Sequence, residues 1–431
     1  MILFNKNIKH SLLSIDSVPK IRFDASYHSV PPEDTVDMAL SKLQRINYFD
    51  RSMVEDSSPI EGSQIYIHRV VEKNPKYNAW GKGLSEASSK ASALMEFVER
   101  YSSENPVFAQ HNIPLLSARK DLDLRSHSFD TLCAYNFQHD LYEDIVNLEQ
   151  TPLLWSKVIS LTNNEEVYIP TTRIFPNFHQ DYIQDFCCTN GFSANNTIEE
   201  AIVQGLCEVI ERHTLHLHAL NSNSPRMLRI PLEQLENPDL CNSLDYLRKN
   251  GWIVVANLHD TGLPFFTTSV FMHNPKSEYI YRTEGSYVHF ATASHFETSL
   301  SRCLSECVQS MAAEKIWRSQ NGSRKLKFPT SVFSDLEKRL ASEDIQTLKF
   351  TEYDDFSKDI DNAVSLMKKN GVEVLIADCT HPILEIPVVR VICPTLQPNF
   401  LLRNHKINSP RAIVSRHIEN HEQIWNQAKR C

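Results

Sequence analysis

One helical signature occurs twice in this chain, about a hundred residues apart, and it restricts the fold more than any other feature. Residues 92–100 read SALMEFVER and residues 204–212 read QGLCEVIER. Each run sets two glutamates three apart, followed at once by arginine, in an otherwise apolar stretch. Glu96 and Glu99 sit among Ala93, Leu94, Met95, Phe97 and Val98; Glu208 and Glu211 sit among Ile202, Val203, Leu206, Val209 and Ile210. A spacing of three puts both carboxylates on one helical face. Carboxylates in apolar helices are costly unless they are paired or bound to a cation. Two such helices face to face would gather four carboxylates around a common point, which suits a hard ion such as Mg²⁺. A third helix-like run, ETSLSRCLSECVQ at 297–309, places Arg302, Glu306 and Gln309 at spacings of four and three. A guanidinium fork beside a carboxylate is what a polyphosphate needs next to its metal ions.

Composition sets outer limits. The 431 residues suffice for one large core or two to three ordinary ones. A net charge of −9 argues against a general nucleic-acid binder. No apolar run reaches the length of a membrane span, and MILFNKNIKH is too short in apolar residues for a secretory signal. The ten cysteines form no regular framework and no CxxC, which is consistent with a reducing cytoplasm and gives zinc little support. Cys187 and Cys188 read as packing residues, as do Cys303 and Cys307, one helical turn apart. The tract His213, His216 and His218 lacks the geometry of a metal site. The tryptophans of WSKV and WIVV read as core anchors.

The periodicities alternate between helix and strand. A helix is expected over Pro32–Ile46, a strand near Ile65–Val71, a Gly81-Lys82-Gly83 turn, and a hairpin of Leu153–Leu161 with Val167–Ile174. Residues 249–271 and 369–393 resemble each other: a helix ending at Asn-Gly, an apolar strand, a proline-containing turn and a second apolar strand. These repeated helix–strand–strand units point to a layered α/β (α+β) architecture with internal pseudo-symmetry.

The chain resembles the YcaO family over most of its length. The resemblance is carried by GKGLSEASSKASALMEFVERYS at 81–102, TNGFSANNTIEEAIVQGLCEVIER at 189–212, GSYVHFATASHFETSLSRCLSECVQ at 285–309 and IADCTHPILEIPVVRVICP at 376–394. It implies a YcaO-type ATP-binding fold without a P-loop, and no GxxxxGK[ST] occurs here. The implied cofactors are ATP and Mg²⁺. The implied chemistry is phosphorylation of a backbone amide oxygen, so that a nucleophile adds to the carbon and phosphate leaves. External sulfide would give a thioamide, and a neighbouring Cys, Ser or Thr side chain an azoline.

Carried over by motif, the resemblance implies metal coordination by Glu96, Glu99, Glu200, Glu208, Glu211 and Glu306. It implies nucleotide contacts from Thr35, Lys82, Ser92, Asn196, Arg100, Arg212 and Arg302. Arg302, Glu208 and Glu211 would carry the catalysis. SVPPEDTVDMALSKL is similar to the segment of the TfuA-associated and methanogen-type branch that reaches the nucleotide. Thr35 fits its hydroxyl position, while His28 stands where that branch has Arg or Lys. Ser193-Ala194-Asn195-Asn196 and Tyr287 depart from glycine-rich family turns. The ending WNQAKRC lacks the Pro-x-Pro-x-Pro tail of azoline-forming members, which favours thioamidation. The implied organisation is an N-terminal segment (1–65) contributing to the nucleotide site, a catalytic domain (66–400) and a tail (401–431). A precursor peptide or protein is the expected substrate, with a TfuA-type or E1-like partner and a homodimer as further expectations. A nucleotide- or leader-peptide-binding module without its own catalysis is the reading from another class.

Overall fold

The computed structural model describes residues 13–46, 49–71, 79–107, 114–123, 125–127, 153–175, 189–219, 225–274, 286–321 and 351–396. The expected tail 401–431, Gly285, and Cys133, Cys187, Cys188 and Cys431 lie outside these residues, as does the side chain of His216.

A two-stranded ribbon of β1 (Ile21–Phe23) and β2 (Ser26–His28) precedes helix α1 (Pro32–Leu43). Strands β3 (Val54–Asp56), β4 (Tyr66–Val70) and β5 (Ala79–Gly83) form a meander that leads into α2 (Glu86–Glu104). Next come β6 (Leu115–Ser117), the hairpin of β7 (Leu153–Ser160) and β8 (Glu165–Pro170), and β9 (Phe192–Ala194), which leads into α3 (Ile198–Ala219). Strand β10 (Arg226–Arg229), helix α4 (Pro238–Lys249), β11 (Ile253–Asp260), β12 (Phe266–His273) and β13 (Ser286–Ala293) precede α5 (Phe296–Asn321). Helix α6 (Phe356–Lys369), β14 (Leu375–Asp378) and β15 (Val388–Ile392) follow.

The expected pseudo-symmetry is visible in the element order. Helix α4 ends at Asn250 and α6 at Asn370; the glycines that follow take φ 83° at Gly251 and 70° at Gly371. Each helix is then succeeded by an antiparallel pair, β11 with β12 and β14 with β15. The expected helix from Pro32 and the expected hairpin also form. The Gly81-Lys82-Gly83 run does not turn: it is the end of strand β5, paired with His68, Ile67 and Tyr66. A Cβ at residue 81 would lie 2.1 Å from the backbone of Ser89 and Ala93. Glycine is there to let strand and helix backbones touch.

Two larger sheets organise the rest. One has the order β10-β11-β12-β13, and the other β6-β7-β14-β15-β9 with β8 beside β7. Val388 and Ile392 of β15 enter a core shared with α1 and α2, while Val389 and Val391 enter a core shared with α3 and α6. Alternation along the strand therefore gives this sheet two apolar faces. Helices α4 and α5 cover one face of the other sheet through Leu244, Leu247, Leu300, Leu304, Val308 and Met311. Trp155 and Trp252 are buried in these cores, as their apolar contexts suggest. Strands β5, β9 and β13 each end a sheet and lead directly into α2, α3 and α5. The three signature helices thus start from three sheet edges.

Candidate active site

Each of the three helices buries its apolar residues and leaves one partly exposed polar stripe. On α2 the stripe is Ser88, Ser92, Glu96, Glu99 and Arg100; on α3 it is Gln204, Glu208, Glu211 and Arg212; on α5 it is Arg302, Glu306, Gln309 and Ser310. These are the positions left when the i, i+3, i+4 apolar set is packed inward.

Electrostatic contacts tie the stripes together. Glu99 is pushed well above the ordinary carboxylate range, by burial first and then by the charges of Glu208 and Glu96. Burial also raises Glu208, against the pull of Arg212 and Arg390 and a bond from a backbone N–H. That N–H belongs to Gly191 and lies 3.2 Å from the Glu208 carboxylate. Gly191 has φ 81°, and a Cβ there would stand 2.1 Å from the Val391 carbonyl oxygen. Only glycine fits that seat, so this residue aims a donor at Glu208. Glu211 is raised by burial to about 7, with Arg212 and Arg302 opposing and Glu306 and Glu208 adding to the rise. Carboxylates that raise a neighbour's proton affinity attract a cation.

Other members of the set are paired. The Arg302 guanidinium donates to the Gln204 side-chain oxygen. Lys82 of β5 forms an ion pair with Glu306 of α5. Burial opposes the ionisation of Glu306, but Lys82 and His289 outweigh it and bring the carboxyl to about 2. Arg100 pairs with Glu96, which also accepts the Trp80 N–H at 2.8 Å. Arg212 stands 3.7 Å from Glu208. The expected convergence of four carboxylates on one point is therefore not found. Among the described residues no three acidic, histidine or cysteine side chains gather into a ready-made metal cluster. Like charges separate, and Glu96 and Glu306 turn to the nearest cations instead.

Glu200, Asn196 and Thr35 form a second group at the start of α3. Glu200 is buried; its carboxylate meets His28 Nδ1 at 2.9 Å, and the Ser29 hydroxyl donates to it at 2.7 Å. Burial works against its charge, yet His28 and then Ser29 hold it below the usual range. The Thr35 hydroxyl donates to the Asn196 side-chain oxygen at 3.1 Å. Eight residues separate Glu200 from Glu208, or about 12 Å along the helix. Both glutamates are carried by the same helix.

Several contributors were not singled out in the sequence. Gln204 lies on the stripe at i+4 from Glu200 and i−4 from Glu208, a spacing that was available. His289 of β13 bonds Ser310 at 2.7 Å, and burial lowers its proton affinity. Its alternation with Tyr287, Ala291 and Ala293 was the only sequence signal. Arg390 of β15 had none. Cys303 and Cys307 are fully buried and donate to carbonyl oxygens of the β12–β13 sheet, and burial raises both thiols. Packing is thus their observed role. His218 is buried against His259 at 2.9 Å, in the same manner.

Residues 80–397 match the family described as YcaO cyclodehydratase, ATP- and Mg²⁺-binding. The chain belongs to the YcaO family, with ATP and Mg²⁺ as its cofactors. It is 27% identical over 335 residues to an uncharacterised protein of Methanothermobacter thermautotrophicus, covering 74% of this chain and 81% of that one. It is 25% identical to the ribosomal protein S12 methylthiotransferase accessory factor YcaO of Escherichia coli, covering 54% of this chain and 39% of the relative. Among solved structures, a heterocyclase in complex with substrate and cofactor has a TM-score of 0.70 at 20% identity. The match covers 90% of this chain but 54% of the heterocyclase, so this chain spans about half its length. YcaO from Methanopyrus kandleri, bound with AMPPCP and Mg²⁺, has a TM-score of 0.62 at 18% identity and covers 91% and 98% of the two chains. These likenesses show the mixed helix-and-sheet YcaO fold. No helix among the described residues is long and apolar enough to cross a membrane.

Proposed function

We propose that this chain is an ATP-dependent enzyme that activates a peptide backbone amide by O-phosphorylation, giving a thioamide in a ribosomally made peptide or protein. The observation that carries the reading is the set of three polar stripes, on which Glu208 raises the proton affinity of both Glu99 and Glu211. Hard cations and their phosphate ligands fit that donor set. Glu96, Glu99, Glu208, Glu211 and Glu306 are assigned to the metal ions, and Arg302 to the phosphates. Arg100, Arg212, Lys82 and Ser92 line the same cleft. Thr35 and Asn196 are assigned to the distal part of the nucleotide.

When bound, Mg²⁺–ATP supplies the phosphoryl group and neutralises its charge; the chain's own residues position and shield. Arg302 is braced by Gln204, so its fork reaches the cleft already oriented. Lys82, paired with Glu306, would be free to meet a phosphate oxygen if that carboxylate held a cation. Glu200 keeps the segment Ser26–Thr35 against α3 through His28 and Ser29, and is assigned to supporting the nucleotide end.

The segment around Thr35 favours the thioamide-forming branch, with a TfuA-type or E1-like companion, a cytoplasmic setting and a homodimeric state as parts of this reading. The structural likeness to a heterocyclase favours a second reading, azoline formation. Calorimetry with Mg²⁺–ATP, then phosphate release with candidate precursor peptides, tests the shared step. Binding without peptide-dependent phosphate release would leave only a binding module. A peptide mass gain of ~16 Da supports oxygen-for-sulfur exchange and a loss of ~18 Da supports ring formation, by atomic arithmetic applied to the candidate reaction classes.

A further inference from the structure

Lys20 buries its whole side chain and takes no part in the chemistry proposed for the cleft. It stands immediately before β1, and its ammonium forms an ion pair with Asp359 of α6, whose side chain is 2% exposed. The same ammonium donates to the Ser294 hydroxyl at 2.9 Å and to His295 Nδ1 at 3.3 Å, at the junction of β13 and α5. An ammonium has three protons and no acceptor, so three partners use it completely, with His295 Nδ1 accepting. Burial works against both charges, lowering the Lys20 ammonium and raising the Asp359 carboxyl against their mutual attraction. A buried pair of this kind is often no more stabilising than apolar packing; what it can specify is one geometry.

The geometry it specifies is that of the β1–β2 ribbon. Ile21, the next residue, is the cross-strand partner of His28. Tyr27, beside His28, stacks on the His295 ring with centroids 3.8 Å apart. Both strands are thus held at the β13–α5 junction, one through Lys20 and the other through Tyr27. Arg22 of β1 pairs with Glu297 of α5 at 3.1 Å, and Asp24, between the strands, accepts the Ser88 hydroxyl of α2 at 2.7 Å. At the far end of the ribbon His28 and Ser29 meet Glu200 of α3. One short ribbon therefore touches all three signature helices.

We infer that Lys20 is a positioning residue for the nucleotide end of the site: its ammonium anchors the ribbon to α6 and to the β13–α5 junction, so that His28 and Ser29 are in place on Glu200, and Thr35 on Asn196, before a nucleotide arrives. Without the anchor the segment must be ordered on binding, and affinity falls by that cost.

The inference rests on the reading that the segment from His28 to Thr35 serves the nucleotide, and the test separates the two. Calorimetric binding of Mg²⁺–AMPPCP would be compared for wild type, Lys20→Met, His28→Ala and the double variant, at a temperature where circular dichroism shows each folded. Lys20→Met keeps an unbranched side chain without the donors, and should weaken binding roughly five- to ten-fold, the size of effects carried through packed residues. If Lys20 acts through His28, adding Lys20→Met to His28→Ala should cost less than about two-fold more, whereas independent contributions multiply. Wild-type affinity in folded Lys20→Met, or losses that multiply, overturns the inference and leaves the nucleotide site intact. Wild-type affinity in His28→Ala overturns the reading of that segment, and the inference with it. Should Lys20→Met not fold, Asp359→Asn decides, since it keeps the ammonium and gives it a neutral acceptor. Weaker binding that does not multiply with His28→Ala supports the anchor, and unchanged affinity overturns it.

Discussion

Glu200 and Glu208 lie on the same helix, two turns apart on the same face, and have opposite electrostatic fates. Glu200 is bound by His28 and Ser29 and is held below the ordinary carboxylate range despite burial. Glu208 receives one backbone N–H, faces Glu99, and is raised. The helix offers both carboxylates the same local sequence logic. What separates them is the segment around His28, which reaches one and not the other. A carboxylate held by close donors below its usual range braces structure, and one raised beside its own kind is available to a cation.

Neutral substitution breaks this comparison most directly. Glu208→Gln should lower ATP consumption by on the order of a hundred-fold or more while leaving the fold intact, since it removes charge that the phosphate-bearing state requires. Arg302→Ala should act similarly by removing the phosphate fork. Glu200→Gln should instead loosen the N-terminal segment, raising the ATP concentration needed for half-maximal rate more than it lowers the maximal rate. A steady-state phosphate-release series across ATP concentrations separates these outcomes. Equal kinetic defects in the two glutamine variants would erase the distinction.

Glu211 sharpens the same contrast through pH. Its folded-state value of about 7 lies above the ordinary 4.5, so the folded protein binds a proton more tightly than the unfolded chain. Stability from this group is present below about 4.5 and is lost as pH rises through 7. Glu211→Gln should therefore be more stable than wild type at pH 8, with the difference closing by pH 4.5. Because Glu211 is partly exposed, solvent screening limits the gain to roughly 1–2 kcal/mol, about 2–4 °C in Tm. Mg²⁺–ATP should reverse the order by stabilising the wild type alone. Thermal melts across pH, with and without Mg²⁺–ATP, give the answer. A pH-independent difference would place Glu211 outside the acidic cluster.

The legible parts of this molecule were local. Two ExxER runs, an RxxxE run and two helix–strand–strand units follow from spacing and periodicity, and each forms. What failed depended on neighbours distant in sequence. Gly81 and Gly83 read as a turn because a lone strand seldom carries glycine; only contact with α2 explains them. Four converging carboxylates were expected although Lys82, distant in sequence, takes Glu306, while Arg100, one turn along α2, takes Glu96. Arg390 was illegible for the same reason: in the string IPVVRVICP it is one charge in a strand, and its seat over Phe192 depends on a strand paired from elsewhere.

The smallest expected effect tests the brace itself. Ser29 contributes one hydroxyl bond of 2.7 Å and a longer backbone N–H of 3.4 Å to Glu200, while His28 supplies the third contact. Ser29→Ala removes only the hydroxyl and leaves the histidine, so Glu200 keeps a partner. A hydrogen bond to a charged group is worth about 1.5–3 kcal/mol when its loss leaves the charge stranded, and less when other donors remain. The variant should lose roughly 1 kcal/mol of stability, with ATP affinity weakened about five-fold or less, because Thr35 and Asn196 still meet across the same segment. His28→Ala, which strips the imidazole partner, should cost more than Ser29→Ala, and combining the two should exceed their sum because Glu200 is then buried without either. Additive effects in that double variant would show that Glu200 finds other partners, and that the two ends of α3 differ less than their contacts imply.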